Sequence, residues 1–335
     1  MRYRSQVKEF LFEEDRPFLS CHASTLVVLP NGEVLSAYFA GTKEKHSDVA
    51  IWCSRRTVAG EWLKPVKVAD EEHIAHWNPV LFQDSQGTIF LYYKVGHEIT
   101  EWYTMVMSSQ DGGRTWDSPR ALVEGDIGGR GPVKNKPIRL SNGAIVAPAS
   151  IEAVSDWHGF NRKWDAFTDI SYDGGQTWKK SDVPLNHEEL QKRHARQSGS
   201  IGVIQPTLWE SGGNQVHMLL RSTGGSIYRS DSRDLGETWC EAYPTDLPNN
   251  NSGIDLVKID NGDLALVYNP VSAKGVRTPL VVRFSSDNGA TWKDEIILEQ
   301  EPGEYSYPAI VARGNELFIT YTWRRERIAY WHLSD

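Results

Sequence analysis

Six times along the chain an apolar stretch, a glycine-bearing turn and a second apolar stretch follow one another. The copies are HASTLVVLPNGEVLSAYF from His22, HWNPVLFQDSQGTIFLYYK from His76, KNKPIRLSNGAIVAPAS from Lys134, IQPTLWESGGNQVHMLLRS from Ile204, GIDLVKIDNGDLALVYNP from Gly253 and YSYPAIVARGNELFITYTW from Tyr305. Short apolar runs joined through Gly read as β-hairpins rather than helices. Pro79, Pro137, Pro206 and Pro308 open first strands, where a missing N–H is tolerated. No long helical pattern competes; Glu188 to Ser198 is at most a short excursion between the third and fourth units.

A second repeat, S-x-D-x-G-x-T-W, occurs at Ser109–Trp116, Ser171–Trp178, Ser232–Trp239 and Ser285–Trp292, and a worn copy covers Ser54–Trp62. The Asp residues of the full copies lie 62, 61 and 53 positions apart. This box is a turn: the carboxylate can accept N–H bonds across it, Gly takes positive φ, and Trp packs beneath. One carboxylate per loop is too few for a calcium site, which wants six or more oxygens. Six units in 335 residues, about 56 each, predict an all-β chain: a six-bladed β-propeller of four-stranded antiparallel blades, one domain over 1–335.

In a propeller the innermost strands run along the axis, so their starts converge on one end of a central channel. The converging set is His22, His76 with Asn78, Lys134 to Lys136, Gln205, Ser252 with Asp255, and Tyr305 with Tyr307. A structural repeat needs no such collection of ionisable and aromatic groups there. His22 and His76 form a candidate acid/base pair, and Asn78 can hydrogen-bond a ligand hydroxyl. Arg130 with Lys134 and Lys136 adds positive potential where the third unit begins. Lys94, Asn269 and Trp323 end second strands and are further lining candidates. Strand alternation places Tyr305 and Tyr307 on one face. No third ligand stands at a metal-site spacing near the two histidines, so neither a metal nor a cofactor is expected.

The boxes on a six-fold repeat resemble those of sialidases, over nearly the whole chain. The resemblance implies a sugar carboxylate held by arginines, a Tyr nucleophile polarised by Glu, and an Asp proton donor. Arg221 and Arg277, each ahead of a box, match the second and third arginines. Tyr305 stands near the nucleophile's place with Tyr307 as rival, and Asp48 near the acid's. Two positions depart: His22-Ala23-Ser24 replaces the triplet carrying the first arginine, and Gln205 replaces the glutamate. An amide cannot take a proton from a phenol.

These readings point to a carbohydrate-active enzyme cleaving a glycosidic bond at a carboxylated sugar. The alternatives are a propeller lyase that eliminates across a uronic acid, for which Gln205 is no handicap, and a glycan-binding propeller without catalysis. Net charge of −8 without a basic run argues against nucleic acid as partner. The acidic N-terminal segment lacks a signal peptide's apolar core and no run is long enough to span a membrane. A cytoplasmic protein is expected, and Cys21, Cys53 and Cys240 match no disulfide or zinc spacing.

Overall fold

The computed structural model describes residues 3–193 and 199–335. Among the described residues the strands pair antiparallel, with one short parallel exception. The first contains Ser20–Val28, Val34–Gly41, Ala50–Arg56 and Val66–Ala69; the second His76–Gln83, Ile89–Val95, Tyr103–Ser109 and Arg120–Ala121. Strands Asp255–Lys258, Leu264–Tyr268, Leu280–Ser285 and Lys293–Glu299 form another. The last joins Tyr305–Arg313, Glu316–Trp323 and Arg327–Ser334 to the N-terminal strand Arg4–Phe10, so the two ends of the chain share a sheet. The third and fourth sequence units lie in one eight-stranded sheet, because Arg162–Trp164 pairs in parallel with Ser200–Gly202. Among the described residues the sheets therefore number five, where six separate ones were expected.

The first strands of the first two sheets lie side by side, as do those of the fourth and fifth units and of the fifth and sixth, and the strand from Tyr305 lies against the one from Ser20. Val80, Tyr92 and Val106 of the second sheet pack against Ile145 and Trp178 of the third unit, which completes the ring. Apolar faces between sheets fill the wedges: Phe39, Trp77 and Tyr93 between the first two, and Leu11, Phe18, Tyr38, Phe318 and Tyr330 where the chain ends meet. The helical excursion is His187–Arg193, and 194–198 lie outside the described residues. No helix among the described residues is long and apolar enough to cross a membrane.

The boxes fold as their chemistry dictates. Asp111 accepts N–H bonds from Arg114 and Thr115, both 2.9 Å, and the Thr115 hydroxyl at 2.6 Å, while Ser109 Oγ accepts from Gly113 N. Asp173, Asp234 and Asp287 repeat this with Thr177, Thr238 and Thr291. In the worn copy, Glu9 of the N-terminal strand does the fastening, accepting from Arg56 Nε and Trp62 Nε1.

Candidate functional site

A repeated β-bulge marks the starts of the inner strands. Register shifts fall between His22 and Thr25, Trp77 and Val80, Ile204 and Thr207, and Ser306 and Ala309. At these bulges Ala23, Asn78, Gln205 and Tyr307 have φ of 55, 41, 54 and 53°, and Lys134 at the matching place of the third unit has 69°. Left-handed backbone in non-Gly residues is costly and concentrates at functional sites. Gly253 holds the fifth position. A Cβ there would come within 2.9 Å of Lys134 Cε, 3.5 Å of Tyr307 Cδ2 and 3.6 Å of Gln205 Oε1, so the side chains of three of these positions converge on it.

At the centre Tyr307 Oη accepts from Arg221 Nη1 at 2.9 Å and from Gln205 Nε2 at 3.3 Å. Gln205 Oε1 accepts from Arg221 Nη1 at 3.1 Å, and Asn251 Oδ1 accepts from Arg221 Nε at 2.9 Å. The Arg221 guanidinium lies over the Trp164 ring at 5.4 Å. Among the described residues every hydrogen-bond partner it has is neutral and no carboxylate lies within ion-pair distance of it, although the residue is 8% exposed. Arg277 stands over the Tyr307 ring at 5.9 Å and donates to Glu304 at 2.5 Å and Ser306 Oγ at 3.1 Å. Arg325 donates from Nε to the same Glu304 at 2.7 Å and from Nη1 to Glu44 at 2.5 Å. Burial works to raise the Glu304 carboxyl, but the charges of Arg277 and Arg325 hold it below its usual range.

The His22 ring contacts Tyr307, centroids 4.2 Å apart, and its Nδ1 pairs with Thr322 Oγ1 at 2.8 Å. Burial first, then the charges of Arg325, Arg277, Arg221 and Lys134, push its pKa well below the usual value, so the imidazole is neutral at neutral pH. Beneath the pocket Lys134 Nζ donates to Asn135 Oδ1 at 2.8 Å, Ile254 O at 2.6 Å and Pro308 O; burial pulls its pKa to about 7. One layer lower, Lys136 grips Asp255 at 2.9 Å, and Asp255 also accepts from Thr207 Oγ1 and Ile310 N. Lys136 therefore pins inner strands together below the pocket.

Several expected site residues lie elsewhere. Tyr305 is 1% exposed, packs with Trp323 and receives Asn269 Nδ2 on its carbonyl. The bulge at Tyr307 breaks the alternation that would have put both tyrosines on one face. His76 sits two residues before its bulge, as Tyr305 does, whereas His22 sits one before. It is buried against Tyr93, with Nε2 accepting from Glu71 N and Nδ1 meeting Ile74 O. Asn78 is at the bulge itself. Asp48 is tied down by Thr42 N and Oγ1 and faces a groove with Phe18, Trp52 and Lys67. It is Glu44, in the same loop, that reaches the arginines. Arg130 donates to Asp169 at 2.7 Å and Trp178 O at 2.9 Å, fastening its own loop, and Lys94 holds the Gly129 and Arg130 carbonyls from below.

Residues 32–319 match the family model for a BNR repeat-like domain. The chain belongs to that family, within the sialidase-like superfamily. A sialidase of Bacteroides fragilis is 25% identical over 221 residues, 62% of this chain but 36% of that protein, so the chain matches well under half of its relative's length. Among solved structures, a Dyadobacter fermentans protein of unknown function superposes with TM-score 0.77 at 17% identity, covering 99% of both chains. The NanB sialidase of Streptococcus pneumoniae gives 0.73 at 16%, over 97% of this chain and 70% of that one. The intramolecular trans-sialidase of Ruminococcus gnavus gives 0.70 at 13%, over 97% and 96%. Such identities establish shared fold.

In this sialidase-like chain, then, Arg221, Arg277, Gln205 and His22 come together around Tyr307. Arg325, Glu304, Glu44, Asn251 and Trp164 join them without having been singled out from sequence. Arg325 comes from the turn after the sixth unit, outside both repeats; the Trp-Arg-Arg-Glu run at a hairpin tip, where Gly or Asn is expected, was its one signal.

Proposed function

We propose that this chain is a carbohydrate-active enzyme that binds a carboxylated sugar at the end of the inner strands and hydrolyses its glycosidic bond. We read it as one six-bladed propeller domain, the eight-stranded sheet being two blades joined by their short parallel pairing. The observation that carries the reading is Arg221. A buried guanidinium without an ion-pair partner is costly, and a ligand carboxylate supplies the missing charge through paired N–H···O bonds. Arg277 and Arg325 stand at the same opening, and the substrate's carboxylate competes with Glu304 for them. Tyr307 accepts two donors on its oxygen, which leaves its own O–H free to point at the ligand. Asn251, Gln205 and the Trp164 ring fix the direction of Arg221.

The sialidases among its relatives lend the substrate class; Gln205 and His22 set this chain apart from the pattern that the family resemblance implies. Because Gln205 cannot serve as a base and a neutral imidazole lies against Tyr307, elimination from a uronic acid is the second reading. Mass spectrometry of products from a mixed panel of sialylated and uronate-containing oligosaccharides separates them. Products that together gain one water support hydrolysis. Products summing to the substrate mass establish a lyase, and saturable binding with no turnover across the panel would make the chain a glycan-binding module.

A further inference from the structure

At the end of the ring away from the candidate pocket, the turn joining the first two strands of the fourth unit carries a second cluster of reactive groups. Ser211 follows strand Ser200–Glu210, six residues beyond Gln205, so roughly 20 Å of extended chain separates the two places. The turn Ser211-Gly212-Gly213-Asn214-Gln215 is closed by a bond from Ser211 N to Gln215 O at 2.9 Å. Ser211 is half-buried and the four residues after it are exposed. A Cβ on Gly212 or Gly213 would meet nothing within 4 Å, so the approach to Ser211 is open.

His217, on the strand Val216–Ser222, is 3% exposed and stacks on Trp209. Its Nε2 lies 2.8 Å from Ser211 Oγ and its Nδ1 2.5 Å from Asp231 Oδ1. Arg229 Nη2 is 3.2 Å from Nδ1, but an unprotonated nitrogen 2.5 Å from a carboxylate oxygen would set two lone pairs against each other. The proton is therefore on Nδ1, and Nε2 accepts from the Ser211 hydroxyl. Asp231 is fixed in turn by Arg229 Nε at 2.9 Å and Tyr243 Oη at 2.6 Å. Nucleophile, base and orienting carboxylate are thus bonded in series, the arrangement that activates a serine.

A fourth group comes from the neighbouring unit. Asn288 Nδ2 lies 3.1 Å from His217 Nε2, and its Oδ1 accepts from Trp209 Nε1 at 2.7 Å. Among the four full boxes only this one has an amide at that position, where the others carry Gly112, Gly174 and Leu235. Asp231 and Asn288 already satisfy a buried ring that only braces two units, which leaves the Ser211 hydroxyl at the solvent side without a structural task.

We propose that Ser211, His217 and Asn288, with Asp231 as positioning residue, form a separate active site that hydrolyses short-chain carboxylic esters. Ser211 Oγ bonds to the ester carbonyl carbon as its proton passes to His217 Nε2, and an Asn288 N–H stabilises the oxyanion. The bond from that carbon to the alcohol oxygen then breaks, and the alcohol oxygen takes the proton from His217. Water bonds to the carbonyl carbon of the acyl-serine and gives one proton to His217, which returns it to Ser211 Oγ as the acyl bond breaks. One ester and one water become one alcohol and one carboxylic acid. The open space around Gly212 and Gly213 offers a long acyl chain no apolar contact, hence the restriction to short ones. This site does not depend on the carbohydrate reading.

The test incubates the whole folded chain with a fluorophosphonate probe and, separately, with p-nitrophenyl acetate. Peptide mass spectrometry should find one phosphonyl group per chain, on Ser211, and none after heat unfolding. Ser211→Ala should lower p-nitrophenyl acetate hydrolysis by at least ~10²-fold with thermal unfolding unchanged, and Asn288→Ala should slow it by ~10²–10³-fold. His217→Gln should abolish labelling, and Asp231→Asn should slow it by ~10²-fold or more, whereas Asp231→Glu should keep part of it. If His217→Gln fails to fold, the Ser211→Ala comparison decides alone. No adduct on Ser211, or hydrolysis unaltered by Ser211→Ala, would overturn the proposal and leave His217 as a brace between the fourth and fifth units.

Discussion

Replacing Arg221 by Met separates a ligand-binding arginine from a structural one, because the two roles predict opposite effects on stability. The guanidinium is nearly buried and hydrogen-bonded to Asn251, Gln205 and Tyr307, all neutral. Removing it forfeits contacts with neutral acceptors and with the Trp164 and Tyr307 rings, about 1–3 kcal/mol together. It also relieves the desolvation of a charge with no ion-pair partner, an effect that replacement by an apolar side chain recovers at about 1–4 kcal/mol. The net change should centre near zero, roughly between 2 kcal/mol lost and 3 gained, which in a chain this long moves Tm by at most several degrees. Ligand affinity should collapse. Two charge-assisted bonds to a carboxylate contribute ~1.5–3 kcal/mol each, so binding of an acidic sugar weakens by roughly two to four orders of magnitude. Calorimetric titration with N-acetylneuraminate and glucuronate, beside thermal unfolding of the same variant, reads both quantities. A loss of about 3–5 kcal/mol of stability, as when a buried ion pair is broken, with affinity intact would show that Arg221 braces the ring and does not wait for an anion.

Other expectations follow from the same geometry. Tyr307→Phe should weaken sugar binding or turnover about tenfold or more by removing the hydroxyl that faces the pocket, while Tyr305→Phe should leave both unchanged; the reverse order in a side-by-side assay would return Tyr305 to the site. Asp48→Asn should cost stability in thermal unfolding, since it loosens the Thr42 contacts, and leave turnover unaltered. Bonds from Thr and backbone groups hold Asp111, Asp173 and Asp287 well below the ordinary aspartate value of 3.8, so the boxes' contribution is complete above that pH and drains away as pH falls through the lowered values. Asp287→Ala should therefore flatten the acid limb of stability against pH, and an unchanged limb in acid-unfolding curves would refute it. Arg325→Gly should stabilise the hairpin by about 1 kcal/mol while weakening acidic-sugar binding; unaltered binding would exclude Arg325 from the site.

The repeats made the sheets legible because each hairpin carries its own turn chemistry and each box its own Asp, Gly and Trp. Legible too was which end of the inner strands gathers polar groups. Alternation failed at the decisive residues. A bulge inserts one residue, so reading across it from Tyr305 to Tyr307, or from His76 to Asn78, transfers the wrong side chain to the pocket. Arg130 and Asp48 failed for another reason. Their charges are spent locally, on Asp169 and on Thr42, and proximity along the chain cannot distinguish a group satisfied by its neighbours from one left for a ligand.

The turn at Arg324 and Arg325 shows how strain can locate a function that pattern misses. Glu326 N donates to Trp323 O at 3.1 Å, closing a turn whose central residues both have positive φ, 53 and 61°. Asn-Gly would fill such a turn without strain, whereas two arginines cost about 1 kcal/mol each. The turn is held in place from outside the hairpin: Arg324 N donates to Glu304 O at 2.7 Å, and Arg325 O accepts from Cys21 N at 2.9 Å. Those bonds use backbone atoms, which Asn and Gly also possess, so they do not explain the side chains. What the side chain of Arg325 adds is the link between Glu44 and Glu304, with its charge beside His22. The strand carrying His22 brings no cation of its own to the opening. Arg325 enters from the adjoining hairpin, so that the pocket draws positive charge from Arg221, Arg277 and Arg325 on three different sheets, and the strain of the turn is the expense of aiming the third.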